Sequence, residues 1–222
     1  LLILFGSQTG EAKDVAFRIA RKARNRFFAP KVVGMDEYPV AQLPSEQLVI
    51  FVVSTTGQGD PPDNMRAFWS FLLRKSLPPD SLSSTSFAVF GLGYSGYAKY
   101  NVVAKRLDAR AAGLGATRLL PLGLGDDQDR YGYDQALEPW LADLWSALLA
   151  RHPLPPGATI DDSVRLLPPR YAVTVVDGAL PAPASPVCPP WFTSPDLKQP
   201  FCAARPFHAR VVRDICLTSP PP

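Results

Sequence analysis

Short apolar runs alternate with stretches of helical periodicity along the front of the chain. Five runs read as strands: Leu1–Phe5, Lys31–Met35, Leu48–Ser54, Phe87–Gly91 and Arg118–Gly123. The third and fourth are apolar almost without interruption, the pattern of strands buried on both faces of a parallel sheet. Behind the first run, Ala12, Val15, Ala16, Ile19, Ala20, Ala23 and Phe27 recur at i, i+3, i+4, i+7 spacing. Arg18, Arg21, Lys22, Arg24 and Arg26 fall largely on the opposite side, so the pattern predicts an amphipathic helix. Leu137, Trp140, Leu141, Leu144 and Leu148 repeat the spacing, and Met65–Lys75 and Asn101–Ala112 also read as helices. Strands alternating with helices predict a doubly wound α/β fold. Right-handed crossovers and five strands favour the order 2-1-3-4-5.

The pattern changes after His152. Sixteen of the 25 prolines follow it, whereas thirteen of the 15 glycines precede it. We read residues 1–152 as a folded domain with glycine loops, 153–169 as a stiff proline-rich linker, and the remainder as an incomplete β segment. No internal repeat is present. A chain of 222 residues accommodates one full domain and a tail or the start of a second.

Composition narrows the function classes. Charged residues make up 19% and the net charge is +3, too little to argue for nucleic acid or an anionic membrane surface as partner. No apolar run approaches the length of a membrane span. The chain opens at Leu1 already inside an apolar run, which reads as a strand cut at its start, so an upstream anchor or leader is outside view. Cys188, Cys202 and Cys216 all lie late, none in a C-x-x-C pair, and two histidines are too few for a zinc site. We read them as free thiols without a role, and the cysteine-free front as suited to a reducing, cytoplasmic setting.

In this fold class ligands bind outside the carboxyl ends of the strands, where the strand order reverses. The loops expected there are the most distinctive parts of the sequence. Gly6-Ser7-Gln8-Thr9-Gly10-Glu11-Ala12 leads into a helix without Walker or G-x-G-x-x-G spacing, which argues against a dinucleotide pyrophosphate. Its hydroxyls and free helix N–H groups suit a phosphate monoester held without lysine or arginine; a plain helix cap uses the same residue types. Ser54-Thr55-Thr56-Gly57-Gln58-Gly59-Asp60-Pro61-Pro62-Asp63-Asn64 suits backbone contact with a polar heterocycle. In Gly91-Leu92-Gly93-Tyr94-Ser95-Gly96-Tyr97-Ala98-Lys99-Tyr100-Asn101, glycine turns present aromatic rings, either to stack on a flat cofactor or to pack half-buried at a helix start. Gly125-Asp126-Asp127-Gln128-Asp129 reads as a solvated acidic turn, since no further ligand cluster joins it to make a metal site.

Together, S-Q-T-G at 7–10, T-T-G-Q-G-D-P-P-D-N at 55–64 and G-L-G-x-S-x-Y-A-K-Y-N at 91–101 resemble the FMN domain of diflavin reductases. The run from Phe68-Trp69 to Leu77-Pro78 looks closest to the NADPH-dependent diflavin oxidoreductases of cytosolic iron–sulphur cluster assembly. The likeness covers residues 1–152 and resumes faintly at Tyr171–Gly178 and Pro206–Thr218, where it suggests the start of an FAD domain.

The resemblance implies a flavodoxin-like fold with FMN in this chain, and FAD and NADPH in the full-length enzyme. FMN phosphate would be held by Ser7, Gln8, Thr9, Gly10, Glu11 and Ala12. Ser54, Thr55, Thr56 and Gly57 would meet one side of the isoalloxazine. Leu92, Gly93, Tyr94, Ser95, Gly96, Tyr97, Ala98, Lys99, Tyr100 and Asn101 would cover the other, with Tyr97 stacking and Asp127 nearby. Glu11 departs from a hydroxyl residue, Tyr94 from an aspartate and Gly96 from a serine, while Thr56 stands where some relatives carry a second aromatic. No residue reads as a hydrolytic acid, base or nucleophile; the chemistry would be the flavin's.

Electrons would pass from NADPH through FAD and FMN to an iron–sulphur protein of the anamorsin type, or to a haem acceptor. Asp60, Asp63, Asp126, Asp127, Asp129 and Asp134 would form an acidic rim that steers a basic partner. The family's later FAD and NADPH motifs are not in these residues, so NADPH oxidation by this chain alone is not expected. Other readings are the microsomal reductase of haem-thiolate monooxygenases, the sulphite reductase flavoprotein, and a flavin-free interaction module.

Overall fold

A computed structural model of the chain describes residues 1–160. Most of the expected linker, and all of the expected β segment from 170 to 222, lie outside the described residues. The elements run β1 (Leu2–Gly6), α1 (Glu11–Arg24), β2 (Lys31–Gly34), β3 (Leu48–Ser54), α2 (Arg66–Leu72), β4 (Ser86–Gly93), α3 (Val102–Gly113), β5 (Thr117–Arg118), β6 (Gly123–Asp126) and α4 (Asp134–Arg151). Short 3-10 turns at Val40–Ser45 and Asp63–Met65 are additions that no apolar period announces. The sheet is parallel in the order β2-β1-β3-β4-β5, as expected, with β6 also on β4.

Side chains along a strand point alternately to opposite faces, which divides each apolar run between two cores. Leu2, Leu4, Val49, Phe51, Val53, Phe87 and Val89 pack with Phe68 and Leu72 of α2 and Val103 and Leu107 of α3. Ile3, Ile50, Val52, Ala88 and Phe90 pack on the other face with Val15, Ala16 and Ile19 of α1 and Leu137, Leu141 and Leu144 of α4. Burial on both sides explains the near-continuous apolarity of β3 and β4.

On the α1–α4 side, Arg18 bonds Asp134 at 2.5 Å and also Glu138, and Lys22 reaches Glu138 at 3.0 Å. Burial lowers the Arg18 pKa, but Asp134 and Glu138 outweigh it and hold the guanidinium firmly charged. These groups are half-exposed, so the pairs fix the two helices relative to one another more than they stabilise the fold.

Two expectations are corrected. Phe27 does not continue the apolar face of α1: it is 58% exposed in the left-handed region, at φ 64. It closes the helix, with Phe28 N–H bonding Ala23 O and Phe27 N–H bonding Arg24 O, both at 3.0 Å. The fifth strand is not one run over 118–123 but two pieces. Thr117 pairs with Ser86 while Gly123 pairs with Phe90, so two extra residues are looped out between them. Leu119 N–H still reaches Phe87 O at 2.8 Å, but Pro121 has no N–H to offer, and its carbonyl is taken by Trp140 Nε1 at 3.1 Å. β6 resumes the ladder and carries the chain to Asp126, so the acidic turn begins on a strand.

Gly123 makes this resumption possible. A Cβ there would lie 2.4 Å from Phe90 Cδ2 and 2.7 Å from Trp140 Cδ1, two rings packed 5.1 Å apart. Gly123→Ala is expected to cost about 1–3 kcal/mol by overpacking. Urea unfolding checks this, with a lower midpoint expected and the slope unchanged.

Candidate functional site

The carboxyl ends of β1, β3, β4 and β6 converge on an open cleft of about 460 Å³. Of the expected residues, Gln8, Thr9, Glu11, Ser54, Thr55, Thr56, Gly57, Leu92, Gly93, Tyr94, Tyr97, Lys99, Tyr100, Asn101 and Asp127 line it. Ser7, Gly10, Ala12, Ser95, Gly96 and Ala98 do not. The side chain of Ala12 is fully buried under α1, which leaves only its main chain to serve a ligand. Gln58 and Gly59 of the expected heterocycle loop also line the cleft, as does Tyr133, which was not foreseen.

The first loop is built from its own polar groups. Ser7 N–H donates to Asn64 Oδ1 at 2.8 Å, and Asn64 Nδ2 donates back to Phe5 O at 3.2 Å. Gln8 and Asp63 exchange two bonds: Gln8 Nε2 to the carboxylate at 2.9 Å and Asp63 N–H to Gln8 Oε1 at 3.0 Å. Ser7 Oγ accepts from Gly10 N–H at 3.1 Å, so Ser7 and the Gln8 amide shape the loop. Gly10 turns the chain at φ 109, where a side chain would be strained. Asp14 N–H bonds Gly10 O at 2.9 Å, and the N–H groups ahead of it in the first turn of α1 have no intrahelical acceptor. Helix polarity makes this end attractive to an anion without any cation in the loop.

The second loop is a closed turn. Thr56 N–H and Oγ1 both donate to Asp60 O, at 2.9 and 3.1 Å, and Asp60 N–H returns to Thr56 O at 2.8 Å. Gly59 is required twice: its φ is 92, and a Cβ there would lie 2.5 Å from Lys99 Cδ. The Lys99 stem therefore lies across Gly59 and ties this loop to the next. Thr55 N–H bonds Leu92 O at 3.1 Å, joining the ends of β3 and β4.

The third loop carries the rings. Tyr97 is 64% exposed at the cleft, with the Tyr94 ring 5.0 Å away. Tyr100 turns inward, its hydroxyl donating to Leu124 O at 3.2 Å. Burial, then the nearby Asp126 and Asp129, raise the Tyr100 phenol pKa against the opposing contact with Asn101. Burial and the neighbouring carboxylates of Asp134 and Glu11 likewise raise that of Tyr133. Both phenols stay neutral at physiological pH and offer O–H groups.

In the fourth loop, Asp126 Oδ1 accepts Ser95 N–H at 2.9 Å and Gln128 N–H at 3.0 Å. Burial opposes its ionisation, but these bonds from Ser95 and Gln128 win and hold its pKa below the ordinary carboxylate value. Asp127 N–H bonds Gly93 O at 2.9 Å and sets its side chain on the cleft. The expected acidic rim is reduced. Asp63 is engaged by Arg66 at 2.9 Å and by Gln8, and Asp134 by Arg18. Among the described residues, Asp60, Asp127 and Asp129 have no such side-chain partners.

Tyr133 carried no sequence signal of its own, and Asn64 stood at the end of the motif at 55–64 without a stated role. Tyr133 is placed by the start of α4, and Asn64 by the 3-10 turn at Asp63–Met65. The site therefore offers helix N–H donors at one end, two exposed rings at the other and glycine-lined backbone between. That arrangement fits a flat heterocycle with a phosphate tail.

Known proteins agree with this geometry. The sequence pattern of the flavodoxin family matches residues 3–140. The NADPH-dependent diflavin oxidoreductase 1 of Xenopus laevis is 51% identical over 177 residues, 80% of this chain and 30% of that protein. The Bos taurus protein of the same name is 44% identical over 220 residues, 99% of this chain and 36% of its own length. That of Arabidopsis thaliana is 52% identical over 154 residues, 69% of this chain and 25% of its own. The chain thus spans only a quarter to about a third of these relatives. Among solved structures, a flavodoxin from Streptococcus pneumoniae TIGR4 superposes with a TM-score of 0.56 at 22% identity, covering 65% of this chain and 97% of that one. At that identity the likeness speaks for the fold. The matched span and the topology together show that this chain belongs to the flavodoxin family.

Proposed function

We propose that the chain binds FMN in this cleft and serves as the electron-delivering part of an NADPH-dependent diflavin oxidoreductase. The observation that carries the reading is the joining, in one cleft, of a cation-free helix terminus and an exposed tyrosine ring. Thr9 and the first N–H groups of α1 would hold the phosphate, Thr55 to Gly59 would line one edge of the ring, and Tyr97 would cover its face. Bound FMN supplies one-electron chemistry between a two-electron donor and a one-electron acceptor. The protein's part is to exclude water from one face, orient the ring and leave an edge open to a partner.

Support for the wider assignment comes from the names of the relatives and from the Bos taurus alignment, which runs through the proline-rich stretch to the chain's end. On this reading residues 1–152 are the FMN domain, 153–169 a linker, and 170–222 the beginning of an FAD domain that draws on NADPH. The acceptor is an iron–sulphur protein of the anamorsin type in cluster assembly, or a haem protein. The location is cytoplasmic, consistent with a described domain that has no cysteine. No helix among the described residues is long and apolar enough to cross a membrane.

Titrating the ligand-free chain with FMN should quench flavin fluorescence at a single site, with riboflavin bound at least about tenfold more weakly if the α1 terminus holds the phosphate. Tyr97→Ala should weaken FMN by roughly tenfold and shift the visible flavin bands. Equal affinity for riboflavin and FMN, or an unaltered spectrum in the variant, counts against the respective role.

Partner steering makes a separate prediction. Reduction of a basic haem protein by the FMN-loaded chain, itself reduced beforehand with dithionite, should slow between about 10 mM and 200 mM salt, as screening shortens from about 30 Å to below 10 Å. Replacing Asp60, Asp127 and Asp129 by asparagine should flatten that dependence. A rate indifferent to salt in the unsubstituted chain removes the acidic rim from the account.

Asp126 gives a pH dependence. Its folded pKa is lowered, so the support that it gives is complete above its unfolded value and is lost as the pH falls through the folded one. FMN affinity should therefore drop on the acid side of the ordinary carboxylate range, and Asp126→Asn should blunt that drop. Binding followed across the acid range in both proteins checks it.

A further inference from the structure

We propose that Tyr94 is a positioning residue for Tyr97: its ring, seated in the space that Gly96 leaves open, holds the Tyr97 ring over the cleft. This inference rests on the FMN reading above and assigns a role to two positions that it leaves without one.

Residues 94–97 form a tight turn in which Tyr97 N–H bonds Tyr94 O at 3.1 Å. The turn is anchored from outside, by Ser95 N–H on Asp126 Oδ1 at 2.9 Å. Within it the Tyr94 side chain folds back over position 96. A Cβ on Gly96 would lie 2.2 Å from Tyr94 Cε1 and 3.0 Å from Cδ1, a distance no real side chain tolerates. Gly96 is not among the residues with positive φ, so its backbone does not require glycine. The ring of Tyr94 occupies the space that a side chain at position 96 would take.

That ring has one aromatic neighbour among the described residues. Its centroid is 5.0 Å from that of Tyr97 at 51°, a tilted pair of the kind that rings favour. Tyr97 is 64% exposed and Tyr94 39%, so no core fixes the Tyr97 ring. A ring left free in solvent loses rotamer entropy when a ligand fixes it, and a neighbour that fixes it beforehand removes part of that cost. The Tyr94 hydroxyl has no hydrogen bond among the described residues, so the aromatic surface performs the role.

FMN titration of the full 222-residue chain, read by flavin fluorescence and visible absorption, tests the proposal. Tyr94→Ala should weaken FMN by about 2- to 13-fold, the range an aromatic pair contributes, and alter the flavin bands. Tyr94→Phe should restore both. Gly96→Ser should weaken FMN similarly because its Cβ evicts the Tyr94 ring, yet add nothing to Tyr94→Ala. In the Tyr97→Ala background Tyr94→Ala should cost nothing further. The proposal is overturned if Tyr94→Ala binds FMN as the unsubstituted chain does. It is also overturned if the loss persists undiminished in the Tyr97→Ala background, since Tyr94 then acts on the cofactor directly or on the fold. An unsubstituted chain that takes up no FMN overturns the functional reading itself, an outcome visible before any variant is compared.

Discussion

The ends of three elements meet at one buried amide. Asn101 is fully buried, takes a left-handed conformation at φ 52 and donates Nδ2 to Gly125 O at 3.0 Å. It thereby starts α3, closes the tyrosine loop and ties that loop to β6. The sheet makes room for it: a Cβ at Gly91 would lie 2.7 Å from Asn101 Oδ1, and one at Gly93 would lie 3.0 Å away. Asparagine tolerates this backbone region better than most residues, and its amide supplies a donor that Gly125 would otherwise lack. Its own Oδ1 is buried without a partner, a local cost that the fold carries at the site's edge. The glycines of β4 thus serve packing, whereas Gly10, Gly57 and Gly59 serve backbone direction.

From that junction the cleft follows. α3 can pack against β4 only because Gly91 has no side chain, since a Cβ would stand 2.5 Å from that of Ala104. Its start fixes Lys99, whose stem crosses Gly59, and Thr55, whose Oγ1 accepts Val103 N–H at 3.4 Å. The loop after β3 and the loop after β4 are therefore one unit. The loop after β1 is held through Asn64 and Asp63, from the far end of that same β3–α2 connection. A ligand spanning the cleft would meet walls braced against one another through this one connection, which is where a multi-part cofactor gains most from preorganisation.

Local pattern made the sheet order, the paired apolar faces and the four loops legible, because each depends on residues close in sequence. Most of the failures come from a contact far along the chain; Phe27 is the local exception. Pro121 breaks the fifth strand where only the ladder on β4 reveals the loss. Phe27 matches the helical period but falls after the helix has closed. Asp63 and Asp134 look like surface acids in sequence; their partners Gln8 and Arg18 stand 55 and 116 residues away. Tyr133 joins the cleft only because α4 returns to the carboxyl end of the sheet. Ala12, expected in the binding loop, is packed into the core under α1 instead of lining the cleft.

The distribution of charge follows from the same topology. α1 begins with Glu11 and Asp14 and ends with Arg21, Lys22 and Arg24, complementing its dipole. In a parallel sheet that helix starts at the carboxyl end of β1, so its acidic turn is delivered to the cleft and its basic turn to the far edge. The loops after β3 and β6 add Asp60, Asp127 and Asp129 to the same end. An anionic ligand then has to be held by main-chain N–H groups within an acidic surround, with Lys99 the one cation lining the cleft. Such a site binds through short-range, directional donors while its surface repels other anions and attracts cations at longer range. On the FMN reading, cofactor retention and partner selection would rest on interactions of different reach, and the acidic rim would not have to be given up for a phosphate to be bound.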